Sequence, residues 1–354
     1  MIQPLQQRTK TNLMSPVRRK QEKHMKFLIA GYGSIGRRHL RNLRELGEND
    51  IILLRSHRST LPEDEIKDIP VETTIERALS HEPDGVIIAN PTALHLDIAI
   101  PAAKLGCAVF MEKPISDSFN RLTEMKEALE HNSRRFQMGF QFRFHPGLHK
   151  MKELIDAGRI GRIFSFRAEW GEYLPEWHPW EDYRNSYSAR RDLGGGVLLT
   201  LSHPLDYLRW LFGDPEWIWA MNGKISDLEL EVDDIAEIGM QMKNGLVGNI
   251  HLDYYSRPTR NGVEVIGSNG KLRCNNLNGI VTLKTAEGFI ERFEPEPTYD
   301  RNNMFLDEMR LFVAVTAGNA QPSCTLEDGI AVQRMAELVR KSWEEKRFFP
   351  YPED

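Results

Sequence analysis

The feature that most constrains the fold is a regular alternation of short apolar runs and amphipathic segments in the first half of the chain. The runs are rich in Val and Ile, and they span residues 27–30, 51–54, 85–89, 108–111 and 135–139. Segments with helical periodicity separate them, at residues 35–46, 75–79, 95–105 and 119–131. Continuous apolar strands alternating with helices predict a doubly wound parallel sheet covered on both faces, in an α/β domain of residues 26–145.

The pattern changes after Pro146. Longer and partly alternating strands are predicted at residues 163–170, 217–221, 234–242, 247–254, 263–267 and 280–284. Helices are predicted at residues 147–156, 196–211, 302–316 and 326–345. Asn244-Gly245 indicates a type I′ hairpin. These elements predict an α+β domain of residues 146–354 with a large, mostly antiparallel open sheet, whose last helix can return to the first domain.

Composition excludes several classes of protein. The 354 residues are 40% hydrophobic and 27% charged, which is typical of a soluble protein, and no apolar run approaches the roughly 18 residues of a membrane span. There is no signal-peptide pattern, so we expect a cytoplasmic protein without a membrane partner. Cys107, Cys274 and Cys324 lack the spacing of a disulfide framework or a metal site, and the histidines are dispersed. We therefore predict no metal.

The net charge of −5 is unevenly distributed. Residues 1–25 hold six basic residues and one acid. Such a polar leader predicts a disordered tail, or sequence upstream of a start at Met25, while a mitochondrial presequence and a nucleic-acid arm remain alternatives. The remainder of the chain is acidic, so we predict no nucleic-acid partner.

A Gly-Tyr-Gly-Ser-Ile-Gly hexapeptide directly follows the first predicted strand and opens a helix, which is the context that a dinucleotide fingerprint requires. Gly31 allows the tight turn, Gly33 lets the backbone approach a pyrophosphate, and Gly36 lets the helix pack closely on the strand. The backbone amides of Ser34 and Ile35 then lie at the helix N-terminus, where they bind phosphate. We expect a Rossmann-type dinucleotide site.

The end of the second strand bears on the choice of dinucleotide. NAD binding is usually accompanied by a carboxylate there, about 20 residues after the glycines. This chain has Arg55, Ser56 and Arg58 instead, and no acid before Glu63. Guanidinium groups pair well with phosphate oxygens, so we predict NADP, with NAD as the alternative. The competing interpretation is that these arginines are solvated loop residues.

The following strand ends complete a family resemblance. Residues 90–95 read Asn-Pro-Thr-Ala-Leu-His, and residues 112–114 read Glu-Lys-Pro. Gly-Phe-Gln-Phe-Arg-Phe at 139–144, Gly-Gly-Gly at 194–196 and the helix beginning Leu-Glu-Asp-Gly at 326 complete the set. Residues 26–350 thus resemble the Gfo/Idh/MocA oxidoreductases, such as glucose-fructose oxidoreductase and inositol dehydrogenase. The resemblance implies a nicotinamide cofactor, bound also by Asn90, Pro91, Thr92, His95, Glu112, Lys113 and Gln141.

The resemblance also implies that Lys113 is catalytic and that Glu112 positions it. The carboxyl ends of a doubly wound sheet form the ligand crevice, so a lysine there faces the nicotinamide rather than the core. The family usually follows its glycine triplet with an Asp and, four residues later, a His. Here Thr200 stands at the Asp position and His203 comes one residue early.

Helical spacing places Thr200 and His203 on one face, and histidine titrates in the range useful for proton transfer. We therefore expect His203 to act as general acid/base. Pro204 lacks an amide proton, so the carbonyl of Thr200 should lose its helical partner and the helix should kink. Asp206 either orients His203 or only caps or solvates the helix. His203 itself has the alternative of a purely structural role.

Residues 170–192 are dense in Trp, Tyr, His and Arg, which suits a sugar site because aromatic faces cover C–H surfaces. The alternative is that they pack a long loop or a subunit interface. The arginines would also suit an anionic sugar derivative. The substrate candidates are Arg143, Tyr173, Trp177, His178, Tyr183, Arg190, Arg191, Thr200 and His203.

Two functions compete. The first is an NAD(P)-dependent dehydrogenase or reductase acting on a CH–OH group of a sugar, cyclitol or sugar derivative, with Lys113 and His203 handling the proton. The second is a non-catalytic NADP-binding regulatory protein of the same family, which the change to Thr200 makes conceivable. The resemblance further implies a homodimer or homotetramer formed through the C-terminal sheet, whose exposed face and edges need cover.

Overall fold

A computed structural model describes residues 25–56, 63–130 and 135–352. The predicted tail thus lies almost wholly outside the described residues. The first sheet is parallel, with strand order β3-β2-β1-β4-β5-β6. Its strands are β1 Lys26–Ala30, β2 Asp50–Leu54, β3 Val71–Glu72, β4 Gly85–Ile88, β5 Ala108–Glu112 and β6 Phe136–Gly139. The strand order reverses between β1 and β4, which is where a doubly wound sheet opens a ligand crevice.

Four helices connect these strands: α1 Ser34–Glu45, α2 Ile75–Leu79, α3 His95–Lys104 and α4 Leu122–Ala128. Strands β1, β4 and β5 are almost completely buried because helices cover both faces of the sheet. The α/β fold class predicted from the apolar runs is confirmed. Strand β3 was missed because two residues carry no readable periodicity.

The second sheet has nine strands in the order β14-β13-β12-β11-β7-β10-β9-β8-β15. They are β7 Ile163–Gly171, β8 Pro215–Gly223, β9 Ile235–Met242, β10 Val247–Asp253, β11 Arg260–Gly267, β12 Gly270–Asn275, β13 Ile280–Thr285, β14 Ile290–Phe293 and β15 Phe349–Pro350. All pairs are antiparallel except β7 with β10. The predicted open antiparallel sheet is confirmed, although β12, β14 and β15 were not predicted.

Five helices accompany this sheet: α5 Pro146–Asp156, α6 Val197–Thr200, α7 His203–Phe212, α8 Asn302–Thr316 and α9 Leu326–Glu345. The single helix predicted for residues 196–211 is therefore two helices. Leu201 leaves the helical region with ψ of 34°, and α7 begins two residues later with Pro204 in its first turn. The predicted kink is a complete break, because the proline removes the amide that would continue the hydrogen-bond ladder.

The hairpin between β9 and β10 differs from the prediction in its turn type. Among its turn residues only Gly245 has a positive φ, of 81°, whereas a type I′ turn needs two such residues. The backbone amide of Gly245 donates to the carbonyl of Met242 at 2.9 Å. The backbone amide of Met242 donates to the carbonyl of Leu246 at 2.7 Å. The loop is a type I turn with a glycine bulge.

The last two helices contact both sheets. Phe312 of α8 packs against the rings of Phe27 and Phe110, with ring centres 6.1 and 5.5 Å apart, so the C-terminal part of the chain completes the core of the first sheet. The amide of Met138 in β6 donates to the carbonyl of Cys324, just before α9. No helix within the described ranges is both long and apolar enough to cross a bilayer.

We predict that Phe312→Ala lowers the free energy of unfolding by about 3–5 kcal/mol, because it removes a fully buried ring from the core of the first sheet. Urea unfolding followed by circular dichroism measures this. Arg310→Ala, an exposed change on the same helix, should stay within about 0.5 kcal/mol of wild type. Equal effects of the two changes would contradict a core role for α8.

Candidate active site

The glycine loop after β1 fits a dinucleotide. Gly31 has a φ of +100°, and a Cβ there would lie 2.6 Å from the carbonyl oxygen of Ala89. A Cβ on Gly36 would lie 2.0 Å from the carbonyl oxygen of Gly31, so neither position admits a side chain. A Cβ on Gly33 would meet open space. The loop is thus closed on its protein side and open at Gly33, where a pyrophosphate can approach the N-terminus of α1.

Arg55, at the end of β2, is already paired. Its guanidinium lies 2.9 Å from the carboxylate of Glu63 and 5.4 Å from the ring centre of Tyr32, and its side chain is buried. Ser56 is exposed. Arg58, which was predicted with them, lies outside the described residues. Arg55 and Ser56 therefore lie at the expected edge of the crevice. Arg55, however, is already paired with Glu63.

A second cluster of charges lies beside them. Arg37 and Arg41, one turn apart on α1, both donate to the carboxylate of Glu65, with Nε–Oε2 distances of 3.1 and 3.0 Å. Hydrogen bonds from Arg37 and Arg41 lower the pKa of Glu65 to about 2. The charges of Glu65, Arg37, Arg41 and Arg55 all reach Tyr32 in the glycine loop. These four charged groups therefore lie near the glycine loop.

The segment after β4 is held in place by His95. The Nδ1 atom of His95 lies 3.0 Å from the carbonyl oxygen of Pro114, and Nε2 lies 3.0 Å from that of Asn90. His95 is buried, and burial lowers its pKa. This imidazole therefore ties the turn containing Asn90 and Pro91 to the end of β5. Thr92, in the same turn, is also buried.

Glu112 is positioned by two contacts within the first domain. Its Oε1 atom lies 2.7 Å from Nε2 of His39 on α1, and its Oε2 accepts from the backbone amide of Lys113 at 3.3 Å. His39 is fully buried. The predicted positioning role of Glu112 thus has a geometric counterpart, because one carboxylate joins the first helix to the backbone of Lys113.

Lys113 reaches across the crevice to the second domain. Its Nζ atom donates to the backbone carbonyl oxygen of Thr200 at 2.5 Å. That carbonyl lacks a helical partner because Pro204, four residues later, has no amide proton. The break between α6 and α7 therefore supplies an acceptor for the lysine.

His203 begins α7 and is buried. Its Nε2 atom lies 3.2 Å from the side-chain nitrogen Nε2 of Gln141, while Nδ1 has no hydrogen-bond partner in the described part of the chain. The ring stacks on Trp170 at 5.4 Å and contacts Phe142 at 4.9 Å. Burial, followed by the charges of Lys113 and Arg301, lowers the pKa of His203 well below 6.5. The imidazole is neutral at neutral pH.

Arg143 does not stand free beside the nicotinamide position, where it was predicted to bind substrate. It donates to both carboxylate oxygens of Asp206, at 2.7 and 3.0 Å, and also lies 3.4 Å from Asp328. Burial raises the pKa of Asp206, and the charge of Arg143 opposes that rise. Asp206 is therefore partnered by Arg143 rather than by His203, and the pair anchors α7 to the segment after β6.

Part of residues 170–192, the aromatic segment, lies beside the site. Trp177 contacts the ring of Tyr254 edge-on, with ring centres 5.5 Å apart. Burial raises the pKa of Tyr254, and the neighbouring hydroxyl of Thr200 opposes that rise. The Trp177 Nε1 and His178 Nδ1 atoms are buried without partners in the described residues. Tyr173 lies under the guanidinium of Arg257 at 3.3 Å.

Three members of the segment have other contacts. The hydroxyl of Tyr183 accepts from the backbone amide of Glu229 at 3.1 Å. Arg190 is exposed and pairs with Asp192 at 2.5 Å. Arg191 is exposed, donates to the carbonyl of Glu231 and lines a separate concavity of about 480 Å³. The structure therefore brings Lys113, Thr200, His203 and Gln141 together but not these two arginines.

Several contributors were missed in the sequence. His39 lies three residues after Gly36, and this i,i+3 spacing is the signal that would have placed it on the face of α1 that meets β5. Trp170 lies one residue before the end of β7, where nothing in the sequence distinguishes it from other strand aromatics, and only packing brings it against His203. Within the described ranges, no three His, Cys, Asp or Glu side chains gather as a metal site.

The glycine loop, the strand switch and the crevice are the features of a Rossmann-type dinucleotide-binding protein. Comparison with known families agrees. A model described as an oxidoreductase family with an NAD-binding Rossmann fold matches residues 25–140, and one for the GFO/IDH/MocA C-terminal domain matches residues 148–273. The chain belongs to the Gfo/Idh/MocA family.

Individual relatives have low sequence identity to this chain but align over most of its length. Myo-inositol 2-dehydrogenase of Thermotoga maritima is 26% identical over 91% of this chain and 97% of its own length. The 1,5-anhydro-D-fructose reductase of Ensifer adhaerens is 27% identical over 70% and 73%. A structure of levoglucosan dehydrogenase in complex with NADH superposes with a TM-score of 0.81, at 18% identity over 93% of this chain and all of that chain. At that identity the last comparison shows the fold alone.

Two buried histidines predict how stability depends on pH. Burial lowers the pKa of His145 to about 4, and it lowers the pKa of His203 well below its ordinary value. Each takes up a proton on unfolding below about pH 6.5, so stability should fall as the pH falls from 6.5 toward 4. Replacing either histidine with Gln should reduce this slope by up to about 1.4 kcal/mol per pH unit, measured by urea unfolding.

His251 provides a control of opposite sign. Hydrogen bonding to Asp253, followed by Glu237, raises its pKa. Its contribution to stability is therefore present below about pH 6.5 and is lost as the pH rises through the raised pKa. His251→Gln should change the slope only above pH 6.5. An unchanged acid slope in both His145→Gln and His203→Gln would contradict the neutral burial of these rings.

Proposed function

We propose that this protein is an NADP-preferring dehydrogenase or reductase of a sugar, cyclitol or sugar derivative, with Lys113 and His203 handling the proton of the reacting hydroxyl. The observation that carries the proposal is the approach of Lys113 and His203 from separate domains. The Lys113 ammonium is bound to the carbonyl of Thr200, three residues before the imidazole. The relatives named above act on an inositol and on an anhydro sugar, which supports this class of substrate.

Each residue has a distinct role in the proposal. Lys113 donates a hydrogen bond to the reacting oxygen and stabilises negative charge that develops there. His203, neutral at neutral pH, exchanges a proton with that oxygen, and Gln141 and Trp170 hold its ring in place. Arg143 acts through Asp206 as a positioning residue for α7, and Glu112 positions Lys113. A nicotinamide cofactor, held at the glycine loop, would supply the hydride-transfer chemistry when bound.

The substrate would lie against the aromatic segment. Trp177 and His178 are the members whose buried polar atoms lack partners, so they are the first candidates for hydroxyl binding. Tyr173 and Tyr183 would line the approach. Arg190 and Arg191 would act only if the segment changes its position, because both are now exposed and engaged elsewhere.

The preference for NADP is supported by three arginines at the ribose end of the crevice and by the lack of an acid in the sequence between the end of β2 and Glu63. NAD is the alternative cofactor. The acids paired with these arginines favour NAD, because they already occupy the guanidinium groups that a 2′-phosphate would bind. A cytoplasmic location, the 26–145 and 146–354 domain boundaries and the lack of nucleic-acid and metal partners remain predictions from the sequence.

We also propose that the protein is a homodimer or homotetramer formed through the second sheet. α9 covers the face of β8 that holds Ile218 and Ala220. The opposite face exposes Trp217, Trp219 and Met221 and bounds a concavity of about 560 Å³. An exposed apolar face of this kind indicates a protein interface.

Turnover should depend on Lys113. A panel of sugars, cyclitols and their keto forms is assayed with NADP(H) and NAD(H). For any substrate turned over, Lys113→Ala should lower kcat/KM at least about 100-fold. The affinity for NADPH, measured by fluorescence on the same samples, separates loss of the catalytic amine from loss of cofactor binding. The matched control is Lys104→Ala, which removes an exposed lysine of the same domain that pairs with Glu124.

Full turnover in Lys113→Ala would reject the catalytic assignment. Cofactor binding by the wild-type protein without turnover on the whole panel would instead favour the regulatory function. The two outcomes are distinct because binding and turnover are measured on the same samples.

Trp219→Asp tests the proposed interface. A carboxylate at the centre of the exposed face should shift the mass measured by light scattering from two or four chains toward one, because burying an unpaired charge is costly. Leu105→Asp, at an exposed apolar position of the first domain, should leave the mass unchanged. A wild-type monomer would contradict the proposal.

A further inference from the structure

The cluster of Arg37, Arg41 and Glu65 has the form of an occupied anion site. The two guanidinium groups lie on successive turns of α1 and direct both Nε and Nη2 at one carboxylate. Each oxygen of Glu65 therefore accepts two N–H groups. Four convergent donors are a set that suits a phosphate dianion, because two guanidinium forks can each bind its oxygens in pairs.

The position of this cluster matches that of a cofactor ribose. Arg37 directly follows Gly36 and lies in the first turn of α1, the helix whose N-terminus faces the pyrophosphate site. Glu65 belongs to the short 3-10 helix Asp64–Ile66, which follows β2, and the buried side chain of Ile66 fixes it against α1. In a doubly wound domain the adenosine ribose binds between the glycine loop and the end of the second strand. The cluster lies at that place.

Glu65 is held by charge but not enclosed. Its side chain is 28% exposed, so it can rotate into water without a change of the backbone. The carboxylate carries one negative charge between two guanidinium groups, which leaves one positive charge unbalanced. A phosphate monoester carries nearly two negative charges and would neutralise both arginines, whereas the 2′-hydroxyl of NAD brings no charge to the cluster.

We propose that Arg37 and Arg41 bind the ribose 2′-phosphate of NADP, and that Glu65 occupies this site in the free protein and thereby sets the preference between NADP and NAD. The inference rests on the cofactor part of the proposed function. The 2′-phosphate binds by displacing the Glu65 carboxylate, which moves into solvent. Glu65 thus weakens NADP binding selectively and leaves NAD binding unaffected.

The test uses adenosine 2′,5′-bisphosphate and AMP as probes, which differ by the 2′-phosphate and lack the nicotinamide. Calorimetry on the full chain compares wild type with Glu65→Gln, which keeps the size of the side chain and removes its charge. We expect Glu65→Gln to bind the bisphosphate at least ten-fold more tightly and AMP within two-fold of wild type. Adding Arg37→Gln to this variant should abolish the gain.

Glu63→Gln is the matched control, because Glu63 is an acid of the same loop that pairs with Arg55 instead. It should change the ratio of the two affinities less than Glu65→Gln does. Thermal melts of each variant confirm folding. An unchanged ratio in Glu65→Gln, or an equal gain for both probes, would overturn the inference.

A separate measurement distinguishes failure of the inference from failure of the proposed function. Titration of wild type with NADH and NADPH, followed by nicotinamide fluorescence, reports cofactor binding directly. If either cofactor binds and Glu65→Gln leaves their ratio unchanged, only the role of Glu65 is wrong. If neither binds to wild type or to the variant, the cofactor assignment fails and the role of Glu65 fails with it.

Discussion

The hydrogen bond from Lys113 to the carbonyl of Thr200 joins the two domains where the chemistry is expected. It depends on Pro204, because a residue with an amide proton at that position would compete for the same carbonyl and continue the helix. The break also starts α7 at His203, which places the imidazole at a helix start beside the lysine. One proline therefore decides the acceptor for the amine and the position of the ring.

The cations along the crevice share a common arrangement. Lys113 is held by a backbone carbonyl, Arg55 by Glu63, and Arg143 by Asp206. The arginines of α1 are likewise held by Glu65. A partly buried cation without an acceptor is costly, so each needs a partner before any ligand arrives. Under the proposed function, ligand binding would be an exchange of acceptors, and its strength would depend on how tightly the chain's own acceptor holds each cation.

The sequence predicted the parts of the site that follow from local rules. The glycine loop, the position of Lys113 at a strand end and the loss of the Thr200 partner all follow from steric and hydrogen-bonding limits on a few adjacent residues. It did not predict that Arg143 pairs with Asp206 or that His39 pairs with Glu112. These contacts join residues 63 and 73 positions apart, and nothing local to either residue encodes its partner.

The same distinction applies to the fold. Strands of four or more apolar residues and the helices α8 and α9 could be read from periodicity, because burial of one face repeats with the geometry of the element. Strands β3 and β15 have two residues each and exist only because a neighbouring strand supplies their hydrogen bonds. Arg37, Arg41 and Glu65 are unremarkable charges along the chain. Their meeting at one point required α1 and the segment after β2 to pack together, since side-chain identity specifies a charge but packing specifies its neighbour.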